Sequence, residues 1–244
     1  MGQEHHALTN PIHDRPLDRA QIDAFVFDVI GTLVDEDAAW ARAAERICAA
    51  TGLSRPADFH ARWATVLSDR MGAVVSGRDS WQPHQQLVSD AAEEAITGLG
   101  GTATRETAAL VASLDREYLA WPDVSDATGV LRRHGLVIGV SNGDLDSLAR
   151  LSSRGAINWD LALSTGAAQT FKPAPAAYEY AIHAAGIDPS RTLFVASHPW
   201  DLRAAAHHGF RTAFVERPGA ELPTGDDRFD LAVPDLLALA ELFS

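Results

Sequence analysis

The sequence predicts an α/β protein built on a doubly wound parallel sheet, with an all-helical segment inserted after the first strand. Short apolar runs rich in aromatic and β-branched residues recur along the chain, and helix-like segments separate most of them. Such runs are typical of strands buried on both faces, and their alternation with helices is typical of a parallel sheet covered on both sides. One long stretch contains helix-favouring runs only, which indicates the insert.

The first predicted strand, residues 24–29 (AFVFDV), ends just before the turn residues Gly31 and Thr32 and carries one carboxylate, Asp28. Four more strands are predicted at 136–140, 161–163, 192–196 and 212–215. Helices are predicted at 124–134, 145–154, 173–185 and 199–208. This Rossmann-like arrangement places ligands beyond the carboxyl ends of the strands.

Residues 37–121 interrupt the alternation with helix-favouring runs such as AAWARAAERICAA and HQQLVSDAAEEAI. Because this insert begins just after the first strand, we expect it to lie over the carboxyl edge of the sheet. The predicted organisation is an N-terminal tail at 1–20, a core domain at 21–36 and 122–244, and a helical cap domain at 37–121.

Composition and charge narrow the classes of function. The chain has 244 residues, 46% of them hydrophobic, and a formal net charge of −13, which disfavours nucleic acid and anionic membranes as partners. A single cysteine, Cys48, excludes an internal disulfide, and no apolar run approaches the roughly 20 residues of a membrane span. We therefore expect a cytoplasmic protein.

Polar side chains follow four of the predicted strands. They are Asp28 and Thr32 after the first, Ser141 and Asn142 after the second, Lys172 downstream of the third, and residues 197–201 after the fourth. Each has an ordinary structural explanation, as a turn, a helix start or a carboxylate at a helix N-terminus. Their recurrence at one edge of the sheet instead predicts a binding or catalytic site.

This order of motifs resembles the haloacid dehalogenase superfamily. FDVIGTLVDED, VSNG, FKPAPAAYEYA and FVASHPWDLRAAAHHGFRTAFVERP look most like the type II (S)-2-haloacid dehalogenases, and the similarity extends from about Ile22 to the end. The resemblance implies hydrolysis of the carbon–halogen bond of a short, anionic 2-haloacid, giving a 2-hydroxy acid and halide.

Two positions separate this branch from the phosphatases of the superfamily. Where the phosphatases have a second Asp that protonates the leaving group, this chain has Ile30, and a departing halide needs no proton. Where they have a carboxylate that helps to hold Mg²⁺, it has Ser197. We therefore expect a site without metal or other cofactor.

The resemblance also implies roles for individual residues. Asp28 would attack the halogen-bearing carbon and form an ester, Lys172 would supply the compensating charge, and Asp201 would position or activate the water that hydrolyses the ester. The residues expected to contact substrate are Thr32 and Ser141 at its carboxylate, Asn142 near the halide, and Tyr178 as a partner of the Lys and carboxylate network.

Three positions depart from the family pattern or extend it. The family's halide-binding arginine follows a tryptophan, whereas here Arg62 precedes Trp63, so Arg62 reaches the halide only if the helix is rotated or shifted. Trp81 matches an aromatic wall over the substrate, with packing inside the insert as the alternative. His198 replaces an amide that orients water or substrate, and its role stays open.

Two other functions remain as alternatives. One is a phosphatase of the same superfamily, which Ile30 and Ser197 disfavour. The other is a catalytically silent member that binds a small carboxylate or a protein, which the displaced Arg62 favours. The sequence leaves a homodimer open.

Overall fold

The computed structural model describes residues 16–154 and 157–244. Its strands are β1 (Ala24–Asp28), β2 (Val34–Asp35), β3 (Leu119–Ala120), β4 (Leu136–Ser141), β5 (Leu161–Ser164), β6 (Thr192–Ala196), β7 (Arg211–Val215) and β8 (Leu231–Val233). Six of them form one sheet in the order β5-β4-β1-β6-β7-β8, with every neighbouring pair parallel. The predicted parallel sheet is confirmed, with β1 and its carboxylate near the middle.

Nine helices accompany these strands in the described part of the chain. They are α1 (Glu36–Thr51), α2 (Pro56–Val75), α3 (His84–Gly98), α4 (Arg105–Val111), α5 (Val124–Leu131), α6 (Leu145–Arg154), α7 (Pro175–Ala185), α8 (Pro199–His207) and α9 (Leu236–Glu241). Alternate residues of β1 point to opposite faces of the sheet, so Phe25 packs in one cluster with Val124 and Leu236. Val26 packs in the other cluster with Tyr178. Helices thus cover both faces, as in a doubly wound fold.

Helices α1 to α4 occupy the stretch in which helices alone are predicted. Strands β2 and β3 form a short antiparallel pair. This pair joins the segment that leaves the sheet after β1 to the segment that returns to it before α5. Inside the helical layer the Trp63 indole donates to the Val88 carbonyl at 2.9 Å. Asp144, in the loop after β4, accepts from the backbone N–H groups of His84 and Gln85 at 3.0 and 2.9 Å. These bonds cap α3 and attach it to the carboxyl edge of the sheet.

Element bounds differ from the predicted ones at a few points. Helix α7 begins at Pro175 rather than at 173, because a proline disfavours helical geometry at the preceding residue, and Ala174 is extended. Strands β2, β3 and β8 and helix α9 were not predicted, and β3 lies within the stretch 37–121 that was expected to be all-helical. Of the expected tail, 1–15 lie outside the described residues, and Arg19–Gln21 form a 3₁₀ turn. Among the described helices, none is both long and apolar enough to span a membrane.

Candidate active site

Three charged residues that are distant in sequence meet at the carboxyl edge of the sheet. Asp28 ends β1, Asp201 lies in the first turn of α8, and Lys172 lies in the segment before α7. The Lys172 Nζ donates to Asp28 Oδ1 at 2.7 Å and also to Asp201 Oδ2. All three side chains are buried, with Lys172 only 1% exposed. The structure therefore brings the predicted trio together.

Lys172 is the only lysine in the chain, and the other 19 of the 20 basic Lys and Arg residues are arginine. A lysine ammonium is a compact point charge, whereas an arginine guanidinium is a wide planar fork. The compact ammonium of Lys172 fits between two buried carboxylates that come from different elements. The one lysine of the chain therefore lies in the candidate site.

The pKa values of this trio follow from burial and mutual charge. Burial lowers the pKa of Lys172, but the charges of Asp201 and Asp28 outweigh this effect and raise it, so the side chain stays protonated. Burial raises the pKa of Asp28, but Lys172 and His198 outweigh it and hold that pKa below its usual range. Asp28 is therefore ionised at neutral pH, as a carboxylate nucleophile must be.

Asp201 differs from Asp28 in its environment. The Tyr178 hydroxyl donates to Asp201 Oδ1 at 2.5 Å, and Lys172 holds the other oxygen. Burial and the nearby charge of Asp28 raise the pKa of Asp201, against the lowering effect of both donors. Burial also raises the pKa of Tyr178, which keeps its proton. Two neighbouring carboxylates with pKa values pushed apart are typical of sites that divide nucleophilic and acid–base roles.

Thr32 holds the nucleophile candidate rather than facing a ligand. Its hydroxyl donates to Asp28 Oδ2 at 2.7 Å and accepts from the Ser197 backbone N–H at 3.0 Å. The side chain is fully buried. The expectation that Thr32 orients the substrate carboxylate therefore does not fit its position, because its hydroxyl is committed to Asp28. Tyr178 is likewise fully buried against Asp201, which fits the partner role and excludes direct contact with substrate.

His198 makes a second contact with the same carboxylate oxygen. Its Nδ1 lies 2.9 Å from Asp28 Oδ2, and the ring is 27% exposed. The ring passes over Gly31, where a Cβ would lie only 2.7 Å from the imidazole Cε1. Gly31 also has a left-handed φ of +84°, which favours glycine. Burial lowers the pKa of His198, but its bond to Asp28 and the charge of Asp28 outweigh this effect and raise the pKa.

The turn after β4 supports the lysine segment. The Asn142 side-chain oxygen accepts from the Lys172 backbone N–H at 2.7 Å, and its Nδ2 donates to the Lys172 carbonyl at 3.3 Å. The Ser141 hydroxyl accepts from the Gly143 N–H at 3.0 Å and is almost fully buried. Asn142 thus fixes Lys172 and also reaches the adjacent cavity, whereas Ser141 shapes the turn.

A cavity of about 620 Å³ lies between α2 and this edge of the sheet. Its lining is Glu36, Asp37 and Trp40 from α1, His60, Ala64, Leu67, Ser68, Met71, Gly72 and Val75 from α2, and Asn142, Lys172, Pro173 and Trp200 from the sheet edge. The α2 residues recur every three or four positions, as expected for one face of a helix. The volume suits a small molecule.

Arg62 lies away from this cavity. Its guanidinium is about half exposed and lies 3.7 Å from Glu94 on the outside of the helical layer. A helix turns about 100° per residue, so Arg62 points some 200° away from His60, which does line the cavity. The rotation or shift of α2 that a halide contact of Arg62 would need is therefore not found in this structure. Trp81 is also absent from the cavity lining and packs beside Gly166 in the turn after β5.

Three titratable groups in the cavity lining, Glu36, Asp37 and His60, were not predicted as site residues. Glu36 is the first residue of α1, and burial raises its pKa to about 7, aided by the charges of Asp37 and Asp28 and opposed by His198. His60 stacks on Trp40 with ring centroids 5.9 Å apart. A run of acidic residues at 35–37, shortly after the turn at Gly31 and Thr32, was the available signal for Glu36. For His60 the sequence offers no such signal, because it does not show which face of α2 is turned toward the cavity.

The donor set does not fit a divalent cation. The two oxygens of Asp28 accept from Lys172, Thr32 and His198, and those of Asp201 accept from Lys172 and Tyr178. Mg²⁺ requires several oxygen ligands in octahedral geometry, whereas every carboxylate oxygen here already has a protein donor. Within 16–154 and 157–244, His, Cys, Asp and Glu side chains form no group of three or more suited to a metal.

Known proteins match the chain over most of its length. A family model described as haloacid dehalogenase-like hydrolase matches residues 22–209. An (S)-2-haloacid dehalogenase from Pseudomonas sp. strain YL is 28% identical over 91% of this chain and 94% of its own. The (S)-2-haloacid dehalogenase H-109 of Pseudomonas putida is 31% identical over 82% of this chain and 88% of its own.

Solved structures agree with the sequence relatives. An L-2-haloacid dehalogenase from Xanthobacter autotrophicus superposes with a TM-score of 0.78 at 25% identity, over 91% of this chain and 98% of that one. The residues that the family model matches include β1 with Asp28 and the first turn of α8 with Asp201. The chain is therefore a hydrolase that belongs to the haloacid dehalogenase-like family, in the branch of the (S)-2-haloacid dehalogenases.

Proposed function

We propose that the protein hydrolyses the carbon–halogen bond of short 2-haloacids through an ester on Asp28, giving a 2-hydroxy acid and halide. The observation that carries this proposal is an ionised Asp28 held by Lys172, a residue that lines an adjacent cavity of small-molecule size. A fixed carboxylate of this kind is a nucleophile at neutral pH, and attack on the carbon from the rear displaces the halide.

The position two residues after Asp28 supports a halide as leaving group. Ile30 is apolar and lies against Gly143, with its Cδ1 3.1 Å from where a Cβ of Gly143 would be. It offers no proton to a departing alkoxide, and a halide needs none. Ser197, at the other diagnostic position, contacts Thr32 and the Gly31 carbonyl. Both positions therefore serve the packing of loops and supply neither a proton donor nor a carboxylate.

We assign the second half of the reaction to Asp201 and Lys172. Asp201, with the higher pKa of the two carboxylates, accepts or positions the proton of the attacking water. Lys172 touches both carboxylates, so it compensates the negative charge of Asp28 before the attack and of the carboxylate that re-forms, with release of a proton, when water hydrolyses the ester. Electrostatic compensation by a fixed cation in a site shielded from water is among the strongest effects in catalysis.

Two carboxylates in the cavity bear on how an anionic substrate enters. Glu36 and Asp37 line it together with His60 and Lys172. Because burial raises the pKa of Glu36 to about 7, part of the Glu36 population is uncharged at neutral pH, which weakens the repulsion of an anion. Besides these two carboxylates, the polar groups of the lining are Lys172, Asn142, His60 and Ser68, and they are the groups available to meet the substrate.

The remaining expectations belong to the same proposal. We propose a cap domain at 37–121 on a core at 21–36 and 122–244, a cytoplasmic location, and a small anionic 2-haloacid as the partner. Nucleic acid and membranes have no part in it, in keeping with the net charge of −13. A homodimer stays an open alternative.

Halide and phosphate release, measured side by side, test the proposed reaction. The panel consists of both enantiomers of short 2-haloacids and a set of phosphate esters, each with and without EDTA. We expect halide from the (S)-2-haloacids at the same rate in both conditions, and no phosphate. Phosphate release that depends on Mg²⁺ would return the phosphatase alternative to first place, and release of neither product would favour a silent binding protein.

A further inference from the structure

The cavity that Lys172 lines is larger than a short 2-haloacid needs. Its volume is about 620 Å³, within the range of roughly 300–1,000 Å³ that is typical of pockets for drug-sized ligands. A molecule of 2-chloropropionic acid has about six non-hydrogen atoms, and at roughly 30 Å³ each, the share of a water molecule in the liquid, it takes no more than about 180 Å³. Most of the cavity is therefore available to a further part of the substrate.

The cavity is elongated along α2. Its lining on this helix extends from His60 to Val75, which at 1.5 Å per residue corresponds to about 22 Å of helix. A sphere of the same volume would be only about 11 Å across, half of that length. The space therefore has the shape of a groove, which suits an extended group better than a compact one.

The two long sides of this groove differ in chemistry. Lys172 and Asn142 lie on the side of the sheet edge, where the carboxylate of Asp28 is held. The side formed by α2 between residues 64 and 75 carries one polar side chain, the hydroxyl of Ser68, among apolar or small residues. These are Ala64, Leu67, Met71, Gly72 and Val75. An acid with an apolar chain matches this division, because each methylene group removed from water adds to its binding.

Gly72 leaves the groove open where a side chain would narrow it. A Cβ built on Gly72 would meet no neighbouring atom within 4 Å, and its φ lies outside the left-handed region. Glycine destabilises a helix relative to alanine, and here neither a close neighbour nor the backbone requires it. Ala64 lies on the same face of α2, two turns earlier. The small size of both residues adds room to the groove along its length.

We propose that the preferred substrate is a 2-haloacid whose halogen-bearing carbon carries an unbranched apolar chain, bound along α2, and that Ala64 and Gly72 determine how long this chain can be. The assignment rests on the dehalogenation proposed above and extends it from short acids to acids of medium chain length. The halogen-bearing carbon lies at the sheet edge within reach of Asp28, and the chain lies against Leu67, Met71 and Val75.

Bromide release from a series of (S)-2-bromo acids tests the preference in the wild-type protein. The series consists of 2-bromopropionic, 2-bromohexanoic and 2-bromooctanoic acid. A fully buried methylene group is worth about fourfold in affinity, so we expect kcat/KM for the octanoic acid to exceed that for the propionic acid by more than about tenfold. A steady decline of kcat/KM along the series would overturn the proposal and leave the dehalogenation intact. If no acid of the series releases bromide, the proposed function itself fails.

Leucine substitutions test whether the groove along α2 holds the chain. Gly72→Leu and Ala64→Leu each place a side chain in the groove, so each should lower the ratio of kcat/KM for the octanoic acid to that for the propionic acid by about tenfold. Gly98→Leu is the matched control. Gly98 ends α3, a Cβ there also meets no atom within 4 Å, and the residue lies outside the cavity lining.

Gly98→Leu should keep the wild-type ratio, and circular dichroism should verify that all three variants are folded. A wild-type ratio in both Gly72→Leu and Ala64→Leu would overturn the proposal, because the chain would then bind elsewhere. An equal fall of the ratio in Gly98→Leu would also overturn it, because the effect would then not come from the groove.

Discussion

The Lys172 ammonium lies 2.7 Å from Asp28 Oδ1, although 144 positions separate the two residues in sequence. Strand β1 delivers the carboxylate and the segment before α7 delivers the cation, and neither is exposed enough for water to replace the contact. Removing one member of a buried ion pair leaves an uncompensated charge, which is strongly destabilising. A substitution in this pair can therefore lower both the stability of the fold and the activity, so each variant must be tested for folding as well as for activity.

Asp28→Asn should abolish turnover while the protein stays folded. The amide nearly preserves the shape of the side chain but removes the nucleophilic charge, so we expect halide release to fall by roughly three orders of magnitude or more. Halide release and circular dichroism measure the two properties. Asp23→Asn, at an exposed carboxylate just before the same strand, is the matched control and should keep wild-type activity. Near-normal activity of Asp28→Asn would refute covalent catalysis by this residue.

Activity should depend on a lysine at 172 and not on added metal. Exhaustive chelation should leave halide release unchanged, because the carboxylate oxygens already have protein donors. Lys172→Arg keeps the charge but cannot place a planar fork between the two carboxylates, so we expect a loss of about a hundredfold or more, as for Lys172→Met. Circular dichroism should verify folding. Restoration of either variant by Mg²⁺, or full activity of Lys172→Arg, would be incompatible with this description.

Two residues on α2 should give opposite results when each is replaced by alanine. Arg62 is exposed and pairs with Glu94 on the surface, so Arg62→Ala should stay within about twofold in kcat and change stability by less than about 0.5 kcal/mol. His60 lines the cavity and stacks on Trp40, so His60→Ala should lower kcat/KM by about tenfold. Steady-state halide kinetics test both. A large loss in Arg62→Ala with a silent His60→Ala would show that α2 is rotated relative to this structure.

The pH dependence of kcat/KM should reflect the ionisation of Glu36. Below pH 7 the side chain is mostly neutral, and above it the side chain is charged and repels an anionic haloacid. We therefore expect kcat/KM to fall with an apparent pKa near 7, by about tenfold at high pH for one like charge in the cavity. In Glu36→Gln this limb of the profile should vanish, whereas Asp37→Asn, beside it in the cavity lining, should retain it. A profile identical in wild type and Glu36→Gln would contradict the assignment.

The predictable part of the site is the part that strand order determines. Asp28, Asn142, Lys172 and Asp201 each follow or end a strand of a parallel sheet, and the carboxyl ends of such strands share one edge. Their convergence therefore follows once the alternation of strands and helices is recognised. Strand β8 escaped prediction because three residues after a polar loop carry too little periodicity.

The rest of the site depends on orientations that sequence leaves undetermined. Arg62 could reach the halide only if α2 were rotated or shifted, but the burial of Trp63 against α3 sets the phase of α2 and turns Arg62 outward. Thr32 follows Asp28 so closely that both ligand contact and support of the carboxylate were compatible with its position. The contact with the Ser197 loop, whose backbone N–H donates to the Thr32 hydroxyl, shows that Thr32 supports the carboxylate. The approach of His198 to Asp28 likewise depends on how two loops meet over Gly31.

Single-turnover hydrolysis in ¹⁸O-labelled water, with enzyme in excess over an (S)-2-haloacid, tests the ester on Asp28 most directly. Water that attacks Cγ leaves its oxygen on the carboxylate, and the product hydroxyl carries an oxygen that came from Asp28. We therefore predict that most of the label is found in the peptide containing Asp28 and that the first 2-hydroxy acid is unlabelled. Label that appears directly in the product, with Asp28 unlabelled, would show that water attacks the substrate itself and would contradict an ester intermediate.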